Sequence, residues 1–503
     1  MLNEAKQCLK YVRRRPELSP CYKVIQEHLD TFIAEREAEG RPLPLYVIQE
    51  FEAFLKCGIP GYGFLRLKCR ECTNEKIVAF SGKKRGFCPS CCAKRMMEAS
   101  THLVDNVLPL VPYRQFVVTL PIPLRYWCHF NKKLYAKIHK LIITEIHQYY
   151  IDKAIQSGIK DPSPGSMSFT QRWGSALNLN PHIHCLCPDG VYTWLKDKPR
   201  FHKLNTISND DVAILIQKIS LRVIKYLKTK GYIDQDGDVI EGPHPDDLFQ
   251  DYDALTQAST CSISNKIAFG PNAGKYVQRL GASLQVGRVI ALAKGNRCYA
   301  IHGFSLHANT AIRTYQRDRL EKLIQYLARG PLANDRLELL ENKQIKLRLK
   351  RPFSDGTTHL LFSYGEFLEK LMTLIPPPRS HLVRWAGCFA PNSPLRKAIT
   401  LKPQVKKAFQ FKNDTEENTL KNYSWSKMLA RAFKIDVTQC EQCGGNMRAV
   451  SSIMERMSII RYLKAAGIDY EIPARGPPKY IDVSLDFETN QLNAFDEPTI
   501  YLD

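Results

Sequence analysis

Two Cys-x2-Cys pairs place the tightest constraint on how this chain folds. Cys69 and Cys72 are followed, 15 residues on, by Cys88 and Cys91. Each CxxC turn aims two sulfur atoms at one point, and a hairpin between two such turns gathers four thiolates around a tetrahedral zinc ion. The chain has 16 cysteines in 503 residues. Its first residues carry Lys6, Lys10, Arg13, Arg14 and Arg15 and lack the apolar stretch of an export signal. The expected setting is therefore the reducing cytoplasm, where clustered thiols are metal ligands before they are disulfides. Four thiolates leave no open coordination position, which points to a structural Zn2+. Cys57 and Cys92 are spare in this reading. A further pair, Cys440 and Cys443, is half a zinc site. Its partners would be cysteines of another subunit or a distant histidine; free thiols on a turn are the alternative.

Charge narrows the partners. Lys and Arg number 72 against 50 Asp and Glu, a formal net charge of +22. An excess of that size gathers polyanions, of which nucleic acid is the usual one. Around the cysteine pairs lie Arg66, Lys68, Arg70, Lys83, Lys84, Arg85, Lys94 and Arg95, a flank suited to the DNA backbone or to plain solvation. The most apolar run, 116–124, is interrupted by Pro121 and Pro123 and falls far short of the ~20 residues that cross a bilayer.

Hydrophobic spacing sketches the organisation. Val24, Leu29, Phe32 and Ile33, then Tyr46, Ile48, Phe51 and Leu55, mark helical faces within residues 1–55. Residues 116–121 read as a buried strand and 134–151 as a helix. A strand pair is expected at 167–171 and 182–187, closed by Pro188-Asp189-Gly190. Further strands are expected at 284–292 and 299–306, a helix ending at Arg329-Gly330-Pro331, and a hairpin at 346–362 around Ser354-Asp355-Gly356. Pro376-Pro377-Pro378 marks a connection, and the polar basic stretch 402–421 a linker.

Two segments carry chemistry. His182-Ile183-His184 lies in an extended run, so strand alternation puts both imidazoles on one face. Two such rings can share a divalent cation, although in a strand such a pair is more often a half-buried one with no ligand. In 320–329, Leu320, Leu323, Ile324 and Leu327 form an apolar stripe. At about 100° per residue, Tyr326 falls beside that stripe, on the flank of Arg319, Lys322 and Arg329. A phenol held rigidly among cations can attack a bound phosphate.

Longer segments accompany these: Cys57-Gly-Ile-Pro-Gly-Tyr-Gly-Phe-Leu-Arg-Leu-Lys-Cys69, Arg85-Gly-Phe-Cys-Pro-Ser-Cys91, Gln171-Arg-Trp-Gly-Ser-Ala-Leu-Asn-Leu-Asn180, Gly303-Phe-Ser-Leu-His-Ala308, Tyr326-Leu-Ala-Arg329, Asp355-Gly-Thr-Thr-His359, Phe389-Ala-Pro-Asn-Ser393 and Cys440-x2-Cys-Gly-Gly445. Over nearly its whole length the chain resembles the rolling-circle transposases of the HUH superfamily, in the group of the IS91-like and common-region (ISCR-type) insertion elements. The resemblance implies an α+β chain. A helical, four-cysteine zinc-binding and DNA-binding domain would occupy 1–105. An HUH nuclease domain, an antiparallel sheet with flanking helices, would occupy 110–345. An extension of that core would follow at 346–400, then a linker and small CxxC-containing domain at 401–503.

The resemblance also assigns roles. His182 and His184 would hold a catalytic Mg2+ or Mn2+, Tyr326 would be the nucleophile, and Cys69, Cys72, Cys88 and Cys91 would hold Zn2+. The positions four residues to either side of Tyr326 are Lys322 and Gly330, so the chain is similar to the one-tyrosine subtype. Tyr315 would lie on the same helical face about three turns earlier. Tyr326 would cleave single-stranded element ends, leaving a 5′-phosphotyrosine and a free 3′-hydroxyl, with Arg319, Lys322 and Arg329 on the phosphate. A third metal ligand is required, with His307 and Gln325 as candidates. Two other readings remain: a non-enzymatic zinc-ribbon regulator, and a replication initiator or relaxase. The chain has no GxxxxGK[ST] helicase loop.

Overall fold

Ser19 starts the first helix: its hydroxyl accepts the Tyr22 amide at 3.3 Å, and Pro20 takes the first helical position. The computed structural model describes residues 14–195, 198–281, 295–401 and 439–478. The strand expected at 284–292 and the linker at 402–421 lie outside them. Helices α1 (Pro20–Ala38) and α2 (Leu45–Lys56) bury Val24, Leu29, Phe32, Phe51 and Leu55, with Ile33, Tyr46 and Ile48 partly covered, the faces that the spacing predicts. An antiparallel hairpin follows, β1 (Phe64–Cys69) and β2 (Glu75–Ala79), then α3 (Pro89–His102).

The middle of the chain runs β3 (Tyr113–Thr119), α4 (Ile122–Phe130), α5 (Lys132–Gln156), β4 (Gly165–Trp173), β5 (Leu179–Pro188), the hairpin β6 (Gly190–Leu195) and β7 (Lys198–Lys203), and α6 (Asn209–Thr229). After α7 (Asp247–Asp251) and α8 (Asp253–Ile263) come β8 (Gln278–Leu280), β9 (Cys298–Ile301), β10 (Phe304–His307), β11 (Ala311–Ile312) and α9 (Arg317–Ala328). The remainder is β12 (Leu337–Leu339), β13 (Ile345–Arg348), β14 (His359–Phe362), α10 (Tyr364–Leu374), β15 (Val383–Gly387), α11 (Pro394–Ile399), β16 (Met447–Ile453) and α12 (Arg456–Ala465).

A seven-stranded antiparallel sheet dominates, in the order β15-β4-β5-β3-β10-β9, with β11 beside the start of β3. One face packs on α5 and α6: Phe116, Val118, Ile183 and Cys185 meet Ile138, Ile142, Ile146, Ile216 and Val223. Helix α5 is also tied to β4 by polar pairs, Tyr135 to Thr170 (2.7 Å), His139 to Ser168 (2.8 Å) and His147 to Ser166 (2.8 Å). Burial holds both of these histidines well below the usual imidazole range, so they stay neutral. The opposite face carries α9, whose Leu320, Ile324 and Leu327 lie on Met167, Phe169 and Leu186.

The 346–400 segment is shared between two layers. β13 and β14 belong to a four-stranded sheet, β12-β13-β14-β8, whose core is continuous with α1 and α2, whereas β15 forms the edge of the seven-stranded sheet. The last described segment does not stand apart as a small C-terminal domain. β16 pairs antiparallel with β1, from Phe64 opposite Ile453 to Cys69 opposite Met447, and α12 covers Phe64 through Ile459, Leu463 and Tyr462. Backbone hydrogen bonding at the open edge of β1 draws the chain's distant end onto the N-terminal module.

Asp189, in the turn expected after the strand pair, closes the end of β5. It accepts from Arg114 of β3 through Nε (3.0 Å) and Nη2 (2.8 Å), while Arg114 Nη1 reaches the Ala308 carbonyl at 2.9 Å. Both side chains are buried. Removing one partner would leave the other charge unpaired out of water. Asp189→Asn is expected to lower the unfolding free energy by about 3 kcal/mol, read as a fall in the denaturant midpoint.

Candidate functional site

Register against β3 sets the geometry of the site. Thr119 lies opposite His182 and Val117 opposite His184, and on the other side Gln171 and Phe169 of β4 lie opposite the same two histidines. Directly paired residues share a face, so His182 and His184 emerge on the side of α9, away from Ile183. Their ring centroids are 4.9 Å apart. His184 also meets the Tyr326 ring edge-on, centroids 5.9 Å apart at 86°.

Neighbours orient both imidazoles. His182 Nδ1 lies 2.7 Å from the Asn180 carbonyl oxygen. A carbonyl only accepts, so Nδ1 carries the proton and Nε2 keeps its lone pair. The Gln115 amide nitrogen lies 2.7 Å from His184 Nδ1; an amide N–H only donates, so Nδ1 accepts and the ring proton sits on Nε2. Among the described residues, His184 Nε2 is buried without a hydrogen-bond partner. Burial lowers the pKa of both rings. For His182 the Asn180 bond partly opposes that, and for His184 the neighbouring His182 and Arg329 push it further, to about 3. The His182 Nε2 lone pair is free for a divalent cation, and His184 Nε2 becomes a second donor once the Gln115 amide turns its oxygen to Nδ1 and the ring proton moves there.

Tyr326 is the exposed member, 45% accessible, at the C-terminal end of α9. Gln171 donates to the Tyr326 and Leu327 carbonyls (2.9 and 3.0 Å), so the strand that flanks the histidines also satisfies the helix end that carries the phenol. Arg329, just past the helix, stacks its guanidinium 4.1 Å from the Tyr326 ring centre. Arg319 and Lys322 are exposed on the same flank. His307 stands in the row His184–Val117–His307 across β5, β3 and β10, and Gln325 is half-buried one residue before Tyr326. Tyr315 is not on the helix at all; it lies ahead of α9, 73% exposed, with Arg313 donating to its hydroxyl at 3.0 Å. The loss of helical phase before Arg317 takes it off the expected face.

Helix α3 of the cysteine-rich module buttresses α9 from outside. Thr101 donates to Glu321 at 3.3 Å, and Arg317 reaches the carbonyls of Leu108 (3.0 Å), Pro109 (3.2 Å) and Val104. Between the module and the sheet lies a cavity of about 510 Å³, lined by Arg85, Arg95, Glu98, Arg172, Trp173, Arg329 and His381.

The four cysteines expected around one zinc are divided. Cys69 and Cys72 face Cys443 and Cys440, with Sγ–Sγ distances of 3.5 Å in each pair. Cys88 and Cys91 face Cys57, at 3.8 and 3.6 Å. The reason is positional: Cys69 ends β1, which pairs with the strand following Cys443, whereas Cys88 and Cys91 open α3 beside the end of α2. Cys57 is therefore not spare. Cys92 does point elsewhere, its thiol meeting the Gly86 carbonyl at 3.4 Å.

Residues 165–397, which include both histidines and Tyr326, match the family model described as "Putative transposase", and residues 24–120 match the IS91-group model "Transposase zinc-binding domain". The chain belongs to the IS91-like transposase family. No curated protein and no solved structure matches it. A transposase acts on DNA, which accounts for the +22 charge. Among the described residues no helix is long and apolar enough to cross a membrane.

In this transposase the structure brings His182, His184, Tyr326 and Arg329 together, and adds Gln115, which the sequence did not single out. Its signal was the alternation Gln115, Val117, Thr119 along β3, which puts a polar residue on the His-bearing face. The absence of a tyrosine at position 330 also has a physical basis. A Cβ at Gly330 would lie 2.6 Å from Cys92 Cβ and 2.7 Å from its Sγ, so this position admits no side chain while α3 packs against it. Gly330→Ala is expected to force α3 from the end of α9, lowering the melting temperature and DNA cleavage together; unchanged values for both would refute this account of the contact.

Proposed function

We propose that this transposase cuts and rejoins single-stranded DNA at insertion-element ends through Tyr326, in the manner of HUH enzymes. The observation that supports the reading is the juxtaposition of the His182–His184 pair, with an orphaned buried ring nitrogen at His184, and the exposed Tyr326 ring on one face of the sheet. The hydroxyl of Tyr326 attacks the scissile phosphorus. The Tyr326 Oη–P bond forms, the P–O3′ bond breaks, and the phenolic proton passes by way of water to the departing 3′ oxygen. The products are a 5′-phosphotyrosine and a 3′-hydroxyl, and reversal with a new 3′-hydroxyl rejoins the strand without ATP.

His182 and His184 would hold Mg2+ or Mn2+, completed by His307 or Gln325. Strand spacing puts the His184 and His307 backbones about 10 Å apart, a gap that two imidazoles can bridge through one cation. When bound, the cation would polarise a non-bridging phosphate oxygen. Arg329, stacked on the nucleophile's ring, places positive charge where the phosphate must sit. Arg319 and Lys322 extend that charge along α9, and the Arg-lined cavity with Trp173 continues it toward the cysteine-rich module, a path suited to single-stranded backbone and stacked bases.

With labelled single-stranded end DNA and Mn2+, the wild-type chain is expected to form a covalent adduct that migrates with the protein. Tyr326→Phe should abolish it with DNA binding retained, and an adduct in that variant would exclude the assignment. Arg329→Ala should slow cleavage by about a hundredfold. Gln115→Leu should raise the Mn2+ requirement by about tenfold or more, and an unchanged metal dependence would remove Gln115 from the support of His184.

A further inference from the structure

We infer that the transposase holds two zinc ions, one of them in a four-thiolate site built by opposite ends of the chain: Cys69 and Cys72 from the N-terminal module, Cys440 and Cys443 from beyond both family matches. The four sulfur atoms lie within 4.8 Å of one another. A tetrahedron with ~2.3 Å zinc–sulfur bonds has edges of about 3.8 Å, close to the observed 3.5 Å contacts. Disulfides would need ~2.05 Å.

The surroundings suit thiolates. Backbone amides of Glu71 and Gly445 donate to Cys69 and Cys443, each at 3.4 Å, and the Asn74 side chain donates to Cys440 at 3.3 Å. Such donors stabilise a charged sulfur far more than a neutral thiol. Gly444 turns with a φ of +73°, a left-handed conformation that glycine adopts freely, and this lets the second CxxC turn close on itself. Loading this site releases the thiol protons to solvent and needs no other reactant.

The second site is independent. Cys57, Cys88 and Cys91 are all buried and mutually within the same ligand range, with contacts of 3.6 and 3.8 Å. Ser81 Oγ, 3.5 Å from Cys91 Sγ, is an oxygen donor at hand for a fourth position that water could also fill. A zinc ion here would clamp the end of α2 to the start of α3, the helix that buttresses α9. The composite site does something different. It closes a loop spanning 368 positions, from Cys72 to Cys440, with the whole catalytic sheet inside it. The ribbon β2-β1-β16 is therefore complete only when Met447–Ile453 is in place.

The test uses the full-length, zinc-loaded protein and reads metal and thiols instead of DNA cleavage, so its outcome is separate from that of the tyrosine mechanism. Iodoacetamide labelling with and without 1,10-phenanthroline, read by mass spectrometry, exploits the exposure of Cys443. Only a bound metal would shield an exposed thiol. Cys443 is expected to be protected until chelation and then to label together with Cys69, Cys72 and Cys440, while Cys128 and Cys388 in the catalytic core stay unlabelled throughout. Metal analysis should give two zinc ions per chain, falling to one in Cys440→Ser/Cys443→Ser and to one in Cys57→Ser/Cys88→Ser. Equal labelling of Cys443 with and without chelator, or zinc content unchanged in the Cys440→Ser/Cys443→Ser variant, would overturn the composite site. A wild-type content of one zinc ion would overturn the two-site account.

Discussion

The placement of β5 between β3 and β4 governs everything at the candidate active site. With a side-chain period of two, the pairing that buries Ile183, Cys185 and Cys187 against α5 and α6 must turn His182 and His184 to the opposite face. A slip of one residue would exchange the sets, sending the imidazoles into the apolar core and the aliphatic side chains toward α9. The bidentate Arg114–Asp189 pair opposes that slip from the far end of the strand, because it forms in only one register. Fold stability and chemistry are thus coupled through one strand, and the energetic cost of exposing Ile183 is what holds the His rings in place.

Tyr326 depends on a different support. Its helix touches the sheet through an apolar stripe and through Gln171, and it is backed on the outside by α3. The close approach of Gly330 to Cys92 shows how little space separates them. The module that carries the cysteines forms one wall of the Arg-lined cavity and sets the position of the phenol relative to the histidines. Movement of α3 would be felt at Tyr326 because packed interfaces of this kind have little compressibility.

Much of this was legible from local pattern. Helical spacing identified the buried faces of α1, α2, α5 and α9, since amphipathic periodicity is a property of a single segment. Alternation around His182 placed both rings on one face for the same reason. Alternation along β3 put Gln115 on one face with Val117 and Thr119, but not beside His184, because that contact comes from a strand remote in sequence and paired with it only through the sheet. Tyr315 misled because extrapolating a helix backwards takes no account of where the helix begins.

The cysteines divide the two kinds of information most clearly. The sequence by itself determined that CxxC turns were present, that their surroundings were basic, and that a His-x-His strand and a tyrosine helix shared one chain, because each is a property of residues close together. It could not determine which turns meet. Spacing paired Cys69 and Cys72 with Cys88 and Cys91, the nearest candidates along the chain, whereas tertiary structure paired them with Cys440 and Cys443 and gave Cys57 to the others. The physical reason is that ligand sets are chosen by strand pairing and helix packing, here β16 on the open edge of β1 and α2 against α3, and those contacts depend on distance in space.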